Sequence, residues 1–446
     1  MNSREHQLAF AGYLLLFAML VYPMVFALSF FKLFLFAVIL LTVGLTVLQT
    51  GRTGLHCGVA LWTLFLMLLS FIFVLEGFAR GAPGAGRMAQ IYIAWPLIYL
   101  LVIAGFRSER IIAGLTKTVI ASTICVGSYS ITYLLARTNI LPGQERLADL
   151  INLGWPSEAF GWHDGYIGMD FPGLNSMFFL LPFCVALLIT TNGNTVNLVG
   201  RRFWLWVAFL LGSTATLLSG RRALYLVSLT AAAFTFLFTF LLPQEQRRLS
   251  RQVLIRAGLF SVVALATVIF VLNIAYGTSL SGLSDRFTVG FDFSPTSEDH
   301  GATERREQYH AMLAEWTDHP ILGLGHGSSA YGSIRSQDTP WNYELYYMAL
   351  LFQTGLAGFT AYTCGILWIF WKGIQVIRTG SPLSATIIAN LVGLTSILIA
   401  SATNPYLARY DAMWVIFLPL GVINFCLLER EEPAGFSKPS GSLETT

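Results

Sequence analysis

Two pairs of adjacent arginines are the side chains in this sequence best suited to bind a charged substrate. Arg221 and Arg222 lie between two long apolar runs and are the only charged residues between positions 203 and 242. Arg305 and Arg306 occur in a polar segment further along the chain. Guanidinium groups bind phosphate oxygens in a bidentate manner, so the four arginines predict a site for a lipid-linked diphosphate. Two alternatives stay open: arginines that reach lipid phosphates for the first pair, and a solvated helix face for the second.

Two further residues could supply acid–base chemistry beside these arginines. Glu344 precedes a long apolar run, where it is either a favourable charge at a helix N-terminus or a base for a sugar hydroxyl. Partial burial would raise its pKa and suit the second role. His310 follows Arg306 at the spacing of one helical turn, which makes it a second candidate base or ligand. The acidic residues of the loops are scattered and no nucleotide-binding motif is present, so we expect no metal and no cofactor.

The amino-acid composition indicates that membrane-spanning helices position these residues. The chain has 446 residues, of which 55% are hydrophobic and 11% are charged. A soluble domain has about 25% charged residues, so the chain is predicted to be an all-α, polytopic membrane protein that forms a single membrane domain over residues 1–446. The apolar runs have the length of membrane-spanning helices. About twelve spans are predicted, at residues 8–28, 33–49, 57–77, 89–105, 118–136, 173–191, 203–220, 223–242, 257–276, 343–371, 383–401 and 413–428.

The distribution of positive charge predicts the orientation. Most lysines and arginines of the short loops fall on the side of the N-terminus, which places both termini in the cytoplasm of a bacterial inner membrane. The same assignment places Arg221, Arg222 and two long loops, at residues 137–172 and 277–342, in the periplasm. Residues 429–446 are predicted to be a disordered cytoplasmic tail. The net charge of +3 is too small to indicate binding to nucleic acid.

The second long loop contains the pattern of an amphipathic helix. In "RREQYHAMLAEWTDHP", Tyr309, Met312, Leu313 and Trp316 recur at helical spacing. The pair His319-Pro320 ends the helix, and "ILGLGHG" then supplies glycines for a turn. The pattern predicts a helix that lies on the outer face of the membrane.

The motifs resemble those of the O-antigen ligase and Wzy-type polymerase superfamily of bacterial polysaccharide assembly. "TLLSGRRALYL" is similar to that family's arginine turn between two spans, and "ERREQYHAMLAEWTDHPILGLGHG" to its outer-loop helix. "NYELYYMALLFQTGLAG" resembles its re-entry helix, which ends in a Gly-Leu-x-Gly signature, and "FPGLNSMFF" is a weaker match. The resemblance extends over roughly residues 170–375.

The resemblance implies a metal-independent, inverting glycosyl transfer in the periplasm, from a glycan on undecaprenyl diphosphate to an acceptor glycan or to lipid A core. Membrane lipids surround such an enzyme, and a chain-length regulator is a candidate partner. The implied diphosphate ligands are Arg221 or Arg222 together with Arg305 or Arg306. Other candidate substrate contacts are Asn175, Tyr309 and His326.

A glutamate in place of a histidine favours the polymerase branch of the family over the ligase branch. In the ligase branch a histidine, the proposed base, stands eleven residues before the first glycine of the signature. Glu344 occupies that place here, which resembles the polymerase branch. The sequence therefore favours a polymerase of O-antigen or exopolysaccharide repeat units. A ligase that transfers glycan to lipid A core is the alternative, and a flippase or transporter of lipid-linked glycan is a further one.

Overall fold

The structure is a computed structural model that describes most of the chain. The described residues are 3–23, 28–137, 160–163, 166–169, 172–191, 202–243, 300–332 and 337–431, together with a few isolated positions between 255 and 270. The tail at 432–446 lies outside the described residues, as do most of the loop at 137–172 and residues 277–299 and 333–336 of the loop at 277–342.

The described elements are almost entirely helical. In chain order they are α1 Ser3–Val21, α2 Ser29–Thr50, α3 Cys57–Ala79, α4 Ala85–Ala89, a single π-helical turn Gln90–Ala94, α5 Trp95–Ile103, α6 Glu109–Arg137, β1 Phe160–His163, β2 Tyr166–Met169, α7 Pro172–Thr190, α8 Arg202–Leu218, α9 Arg222–Thr239, α10 His300–Asp318, α11 Tyr346–Arg378, α12 Ser384–Ala400, a 3₁₀ turn Tyr410–Ala412 and α13 Trp414–Glu431.

The prediction of a polytopic helical membrane protein is confirmed. Among the described residues, eight helices are long and apolar enough to cross a membrane, and three more apolar helices are shorter. These eleven helices lie at eleven of the twelve predicted spans. The twelfth, at 257–276, lies mostly outside the described residues. Helix α6 begins at Glu109, well before the predicted residue 118, because a helix can extend into water beyond its apolar part.

A short β-hairpin is the one described element that departs from the predicted all-helical fold. Strand β1 pairs antiparallel with β2, with Phe160 opposite Met169 and His163 opposite Tyr166. The backbone N–H of Met169 also donates a hydrogen bond to Ser219 O, over 3.1 Å. The hairpin is thereby joined to the turn between α8 and α9, which is the turn that contains the first arginine pair.

Helix α7 is at the centre of the bundle. It is surrounded by α1, α6, α8, α9 and α12, and nearly all of its side chains are buried. A helix that is covered on every side must be apolar on every side, which is the composition of "MFFLLPFCVALLI". By contrast, α2 and α3 expose many large apolar side chains, which fits helices that face lipid.

A kink in α11 fixes the position of the loop that precedes it. Gly355 has φ 61° and ψ −171° inside the helix, a backbone conformation that is essentially restricted to glycine. The kink frees the N–H groups of Leu356 and Ala357, which donate to the carbonyl oxygens of Pro320 (2.9 Å) and Ile321 (3.0 Å). A Cβ atom at Gly355 would lie 2.2 Å from Ile321 O. The glycine is therefore required for the chain after α10 to enter the kink.

We expect Gly355→Ala to destabilise the protein by about 1–3 kcal/mol, because alanine disfavours this conformation and its methyl group collides with Ile321 O. The measurement is the thermal unfolding midpoint of the detergent-purified protein. Gly44→Ala in α2 is the matched control, because a Cβ atom at Gly44 meets nothing within 4 Å. An equal midpoint for the two variants would contradict the role given to the kink.

Candidate functional site

Two of the predicted site residues, far apart in sequence, form an ion pair. Arg305 Nε of α10 lies 3.6 Å from Glu344 Oε2, just before α11. Both side chains are largely buried, with 20% and 17% of their surface exposed. The pair thus combines a cation that can bind phosphate with a base that can accept a proton.

Gln308, on the same helix as Arg305, holds the backbone of Glu344 in place beside the ion pair. Its side chain is completely buried, and its Oε1 accepts a hydrogen bond of 2.9 Å from the backbone N–H of Glu344. Its Nε2 donates to Glu304 Oε1 over 3.4 Å. Gln308 lies almost one helical turn after Arg305, on the face of α10 that contacts the start of α11. The position of Glu344 relative to Arg305 is therefore set by a side chain that the sequence did not indicate.

A small apolar cluster supports the contact between α10 and α11. Met312 of α10 and Phe352 of α11 are completely buried, and Tyr343 is nearly so. The Tyr343 hydroxyl accepts a hydrogen bond from the N–H of Ala330, which ties the intervening loop to the same cluster. Burial of side chains of this size contributes about 1.5–3 kcal/mol each to stability. This packing holds α10 against the start of α11, where the ion pair forms.

The first arginine pair lies at the end of α7. Arg221 Nη1 donates to Asn175 Oδ1 (2.5 Å), and its Nε donates to Met169 O (3.3 Å). Its backbone N–H donates to Ser219 Oγ over 3.2 Å. Arg221 is thus oriented by α7 and by strand β2 as well as by its own turn. Arg222, the first residue of α9, is half-buried.

The two arginine sites lie at the same end of the bundle. Phe178, three residues after Asn175, packs against Tyr406 with their ring centroids 4.8 Å apart. Tyr406 belongs to the segment between α12 and α13. At the end of α12, Leu398 O accepts a hydrogen bond of 2.5 Å from the Tyr347 hydroxyl. Since Tyr347 is three residues after Glu344, this chain of contacts connects Asn175 to the start of α11.

Other predicted site residues on α10 are more exposed. Tyr309 and His310 are exposed, and their rings contact each other with centroids 5.5 Å apart. Arg306 is half-buried. The buried residue beside them is Gln308, whose side chain bonds the Glu344 backbone. The roles of Tyr309, His310 and Arg306 in binding or catalysis stay predictions.

His326 is completely buried in a network of side chains and not in an open cleft. Its Nδ1 is 3.3 Å from Gln353 Oε1 and its Nε2 is 2.9 Å from the Tyr362 hydroxyl. The Gln353 amide nitrogen donates to Ser328 O, so its oxygen faces the histidine and Nδ1 donates. The ring also stacks on Tyr92, with centroids 4.3 Å apart. This burial disfavours a direct contact of His326 with substrate and favours a structural role.

The backbone around His326 packs as closely as its ring. His326 N–H donates to Phe73 O of α3 over 2.8 Å, and a Cβ atom at Gly325 would lie 2.2 Å from Gly77 N. The glycine-rich turn after α10 is thereby inserted between α3 and α11. The family signature's second glycine, Gly358, likewise lies so close to Phe73 that a Cβ atom would be 2.7 Å from that ring.

A cavity of about 400 Å³ with mostly apolar walls lies beside the start of α11. Its walls come from α3, the π-helical turn, α5, α11 and the chain around the ends of α12 and α13. Tyr92, Tyr346 and Tyr362 contribute hydroxyl groups, and Tyr92 and Tyr346 are hydrogen-bonded to each other over 3.1 Å. The tyrosines at 346 and 347 follow Glu344 closely, so the cavity lies near the ion pair.

Several residues that shape the site carry no recognisable signal in the sequence. Gln308, Met169 and Ser219 are recognisable only from their contacts. Tyr92 lies in the π-helical turn Gln90–Ala94. Such turns often occur at functional sites, but this turn cannot be recognised from the sequence. Among the described residues, no group of three His, Cys, Asp or Glu side chains is arranged to hold a metal ion. Metal independence stays a prediction.

Comparison with known families supports the resemblance seen in the motifs. Residues 207–363, about a third of the chain, match the family model Wzy_C, described as O-Antigen ligase. The matched segment contains all four arginines, Gln308 and Glu344. It supports a membrane enzyme of the O-antigen ligase or polymerase type. No curated protein matches the chain significantly.

The environment of His326 predicts a dependence of stability on pH. Burial lowers the pKa of His326 from 6.5 to about 4, partly offset by the hydrogen bond with Gln353. The unfolded chain therefore takes up a proton before the folded one does, so the stabilisation is complete above pH 6.5 and is lost as the pH falls towards 4. We expect the unfolding midpoint to fall less steeply over this interval in His326→Gln than in the wild type.

His310→Gln is the control for this measurement, because His310 is exposed and its replacement should leave the slope of midpoint against pH unchanged. An identical slope in His326→Gln and the wild type would show that His326 titrates alike in the folded and unfolded states.

Proposed function

We propose that this protein is a periplasm-facing glycosyltransferase of the inner membrane that polymerises oligosaccharide repeat units carried on undecaprenyl diphosphate. The product would be O-antigen or exopolysaccharide. The observation that carries the proposal is the Arg305–Glu344 ion pair, 3.6 Å long and largely buried, inside the segment that matches the O-antigen ligase family.

The reaction needs two groups that this pair contains. An acceptor hydroxyl attacks the anomeric carbon from the face opposite to the diphosphate, the bond from that carbon to the diphosphate oxygen breaks, and the configuration inverts. The diphosphate leaves with the bonding electrons, and Arg305 neutralises the charge that develops on it. Glu344 accepts the proton of the attacking hydroxyl. No energy source other than the donor's diphosphate bond is required.

The ion pair also suggests how the base becomes available. In the absence of substrate, Arg305 interacts with Glu344. A donor diphosphate has more charge than the carboxylate and competes for the same guanidinium. Binding of the donor would therefore loosen the ion pair and free the carboxylate when an acceptor is needed. The backbone hydrogen bond to Gln308 would keep Glu344 near its position during this exchange.

Two other features support a lipid diphosphate as the donor. Arg221, oriented by Asn175 at the same end of the bundle, offers a second guanidinium for the diphosphate. The apolar cavity near Tyr346 would accept part of the polyprenyl chain within the membrane, while the sugar and the diphosphate lie beside Glu344.

The choice among the three candidate functions rests on Glu344. The resemblance gives the ligase branch a histidine at this place, so the carboxylate favours polymerisation over transfer to lipid A core. The ligase stays the second candidate because the matching family model is described as O-Antigen ligase. A flippase would more often have its charges near the middle of the spans, whereas the ion pair described here precedes a span.

We expect Glu344→Gln to lower the rate of glycan transfer by about 10²-fold or more, because the amide cannot accept the proton, while donor binding is retained. The measurement compares glycan ladders on gels from a deletion strain that expresses each variant, together with the polymer secreted by the same cells. A polymerase predicts lipid A core capped with one repeat, or loss of secreted polymer. Glu307→Gln, an exposed carboxylate of α10, is the matched control and should give the wild-type ladder.

Two results would overturn parts of this proposal. A normal ladder and normal secreted polymer in Glu344→Gln would remove the glutamate from the reaction. Long glycan that accumulates on the undecaprenyl carrier and is absent from lipid A core would identify a ligase.

A further inference from the structure

Two aliphatic side chains directly after α10 are exposed although they belong to none of the candidate spans. Ile321 is 67% exposed and Leu322 is 59% exposed. They follow Pro320, where α10 has ended, and precede the glycine-rich turn that inserts beside α3. Adjacent exposed residues of this size in a polar loop require an apolar partner or incur a cost in water.

The position of this pair relative to α11 is fixed by backbone hydrogen bonds. The carbonyl oxygens of Pro320 and Ile321 accept from Leu356 and Ala357 in the kink of α11. Leu356 is itself 50% exposed. The pair therefore lies against a spanning helix at the point where that helix bends.

On its other side the pair is close to the end of α3. His319 Nε2 is 3.4 Å from Arg80 Nη1, which directly follows α3. The exposed apolar face of α3 continues up to Phe78, which is 56% exposed. Phe78, Ile321, Leu322 and Leu356, here called the apolar rim, are thus exposed apolar residues at the junction of α3, α11 and the end of α10.

The lengths of the two helices indicate the depth of the apolar rim. Helix α3 has 23 residues and is about 34 Å long at 1.5 Å per residue. The part of α11 from Gly355 to Arg378 has a similar length, about 36 Å. The hydrocarbon core of a bilayer is about 30 Å thick, so α3 and the part of α11 after the kink are each just long enough to cross it, and the apolar rim lies at one end of both segments. The Glu76–Arg80 salt bridge, 2.7 Å long, lies at the same level, where charged lipid headgroups are found.

We propose that Ile321 and Leu322 insert between the acyl chains of the bilayer leaflet on this side and anchor the C-terminal end of α10 to the membrane. The partner is the lipid surface, because the apolar rim continues the lipid-facing surface of α3 and α11. The anchor would hold α10 at the level of the lipid headgroups, and with it Arg305. This position of the helix does not depend on which reaction the protein performs.

The test places a small environment-sensitive fluorophore at Leu322→Cys and, separately, at Ile321→Cys, after replacement of the five native cysteines. Tyr331→Cys is the matched control, because Tyr331 belongs to the same loop and is 94% exposed. Each labelled protein is reconstituted into vesicles with and without lipids whose acyl chains are brominated, and each is also titrated with iodide in water.

We expect brominated lipid to quench the label at 321 and 322 several-fold more than the label at 331, and iodide to show the opposite order. Quenching by iodide that is equal at all three sites would place the pair in water and overturn the proposal. Protection from both quenchers at 321 and 322 would also overturn it, since a second copy of the protein would then cover the pair. The side chains of both residues are exposed, so neither replacement removes a packed group.

Discussion

The kink at Gly355 is the constraint on which the rest of the site depends. A straight α11 would satisfy the N–H groups of Leu356 and Ala357 within the helix and would leave no donors for the carbonyl groups of the chain after α10. The kink offers these two donors to Pro320 and Ile321. The loop is thereby joined to a spanning helix by main-chain bonds, which do not depend on side-chain identity. With the end of α10 fixed in this way, Gln308 and the apolar cluster hold the helix against the start of α11, where Arg305 reaches Glu344.

The ion pair itself is better understood as a functional feature than as a source of stability. Removing two charges from water costs free energy that their attraction often only just repays. The packing of Met312, Tyr343 and Phe352 can hold the two helices together without the charges. Retention of a largely buried Arg305–Glu344 pair is therefore consistent with a site that exchanges one anion, the carboxylate, for another on a substrate. Arg221 is oriented in part by neutral groups, namely the Asn175 amide and the Met169 carbonyl.

The sequence predicted the elements of this fold well and their contacts poorly, for a physical reason. Hydrophobic length is a local property that the bilayer imposes on each span, so the positions of the helices follow from composition. The arginine turn and the outer-loop helix were also recognisable, because charges beside apolar runs and helical spacing are local signals. The pairing of Arg305 with Glu344 joins positions 39 apart across a loop, and it depends on the kink of α11, on Gln308 and on the apolar cluster between α10 and α11.

Two buried polar residues on and after α10 have a common explanation. Gln308 is buried because its side chain accepts a hydrogen bond from the N–H of Glu344. In the same way His326 resembled a polar loop residue open to substrate, whereas Gln353 and Tyr362 satisfy both of its ring nitrogens. Buried polar residues are paired with specific partners, and those partners cannot be read from the sequence.

The central claim is that Arg305 and Glu344 act as one unit, and a double-mutant cycle tests it most directly. The rate of glycan transfer would be measured for Arg305→Ala, Glu344→Gln and the double variant in reconstituted membranes. If the two residues serve the same step, the double variant should be little slower than the slower single variant, since effects within one catalytic unit are strongly non-additive. Losses that multiply in the double variant would show that the two side chains act independently and would contradict the account.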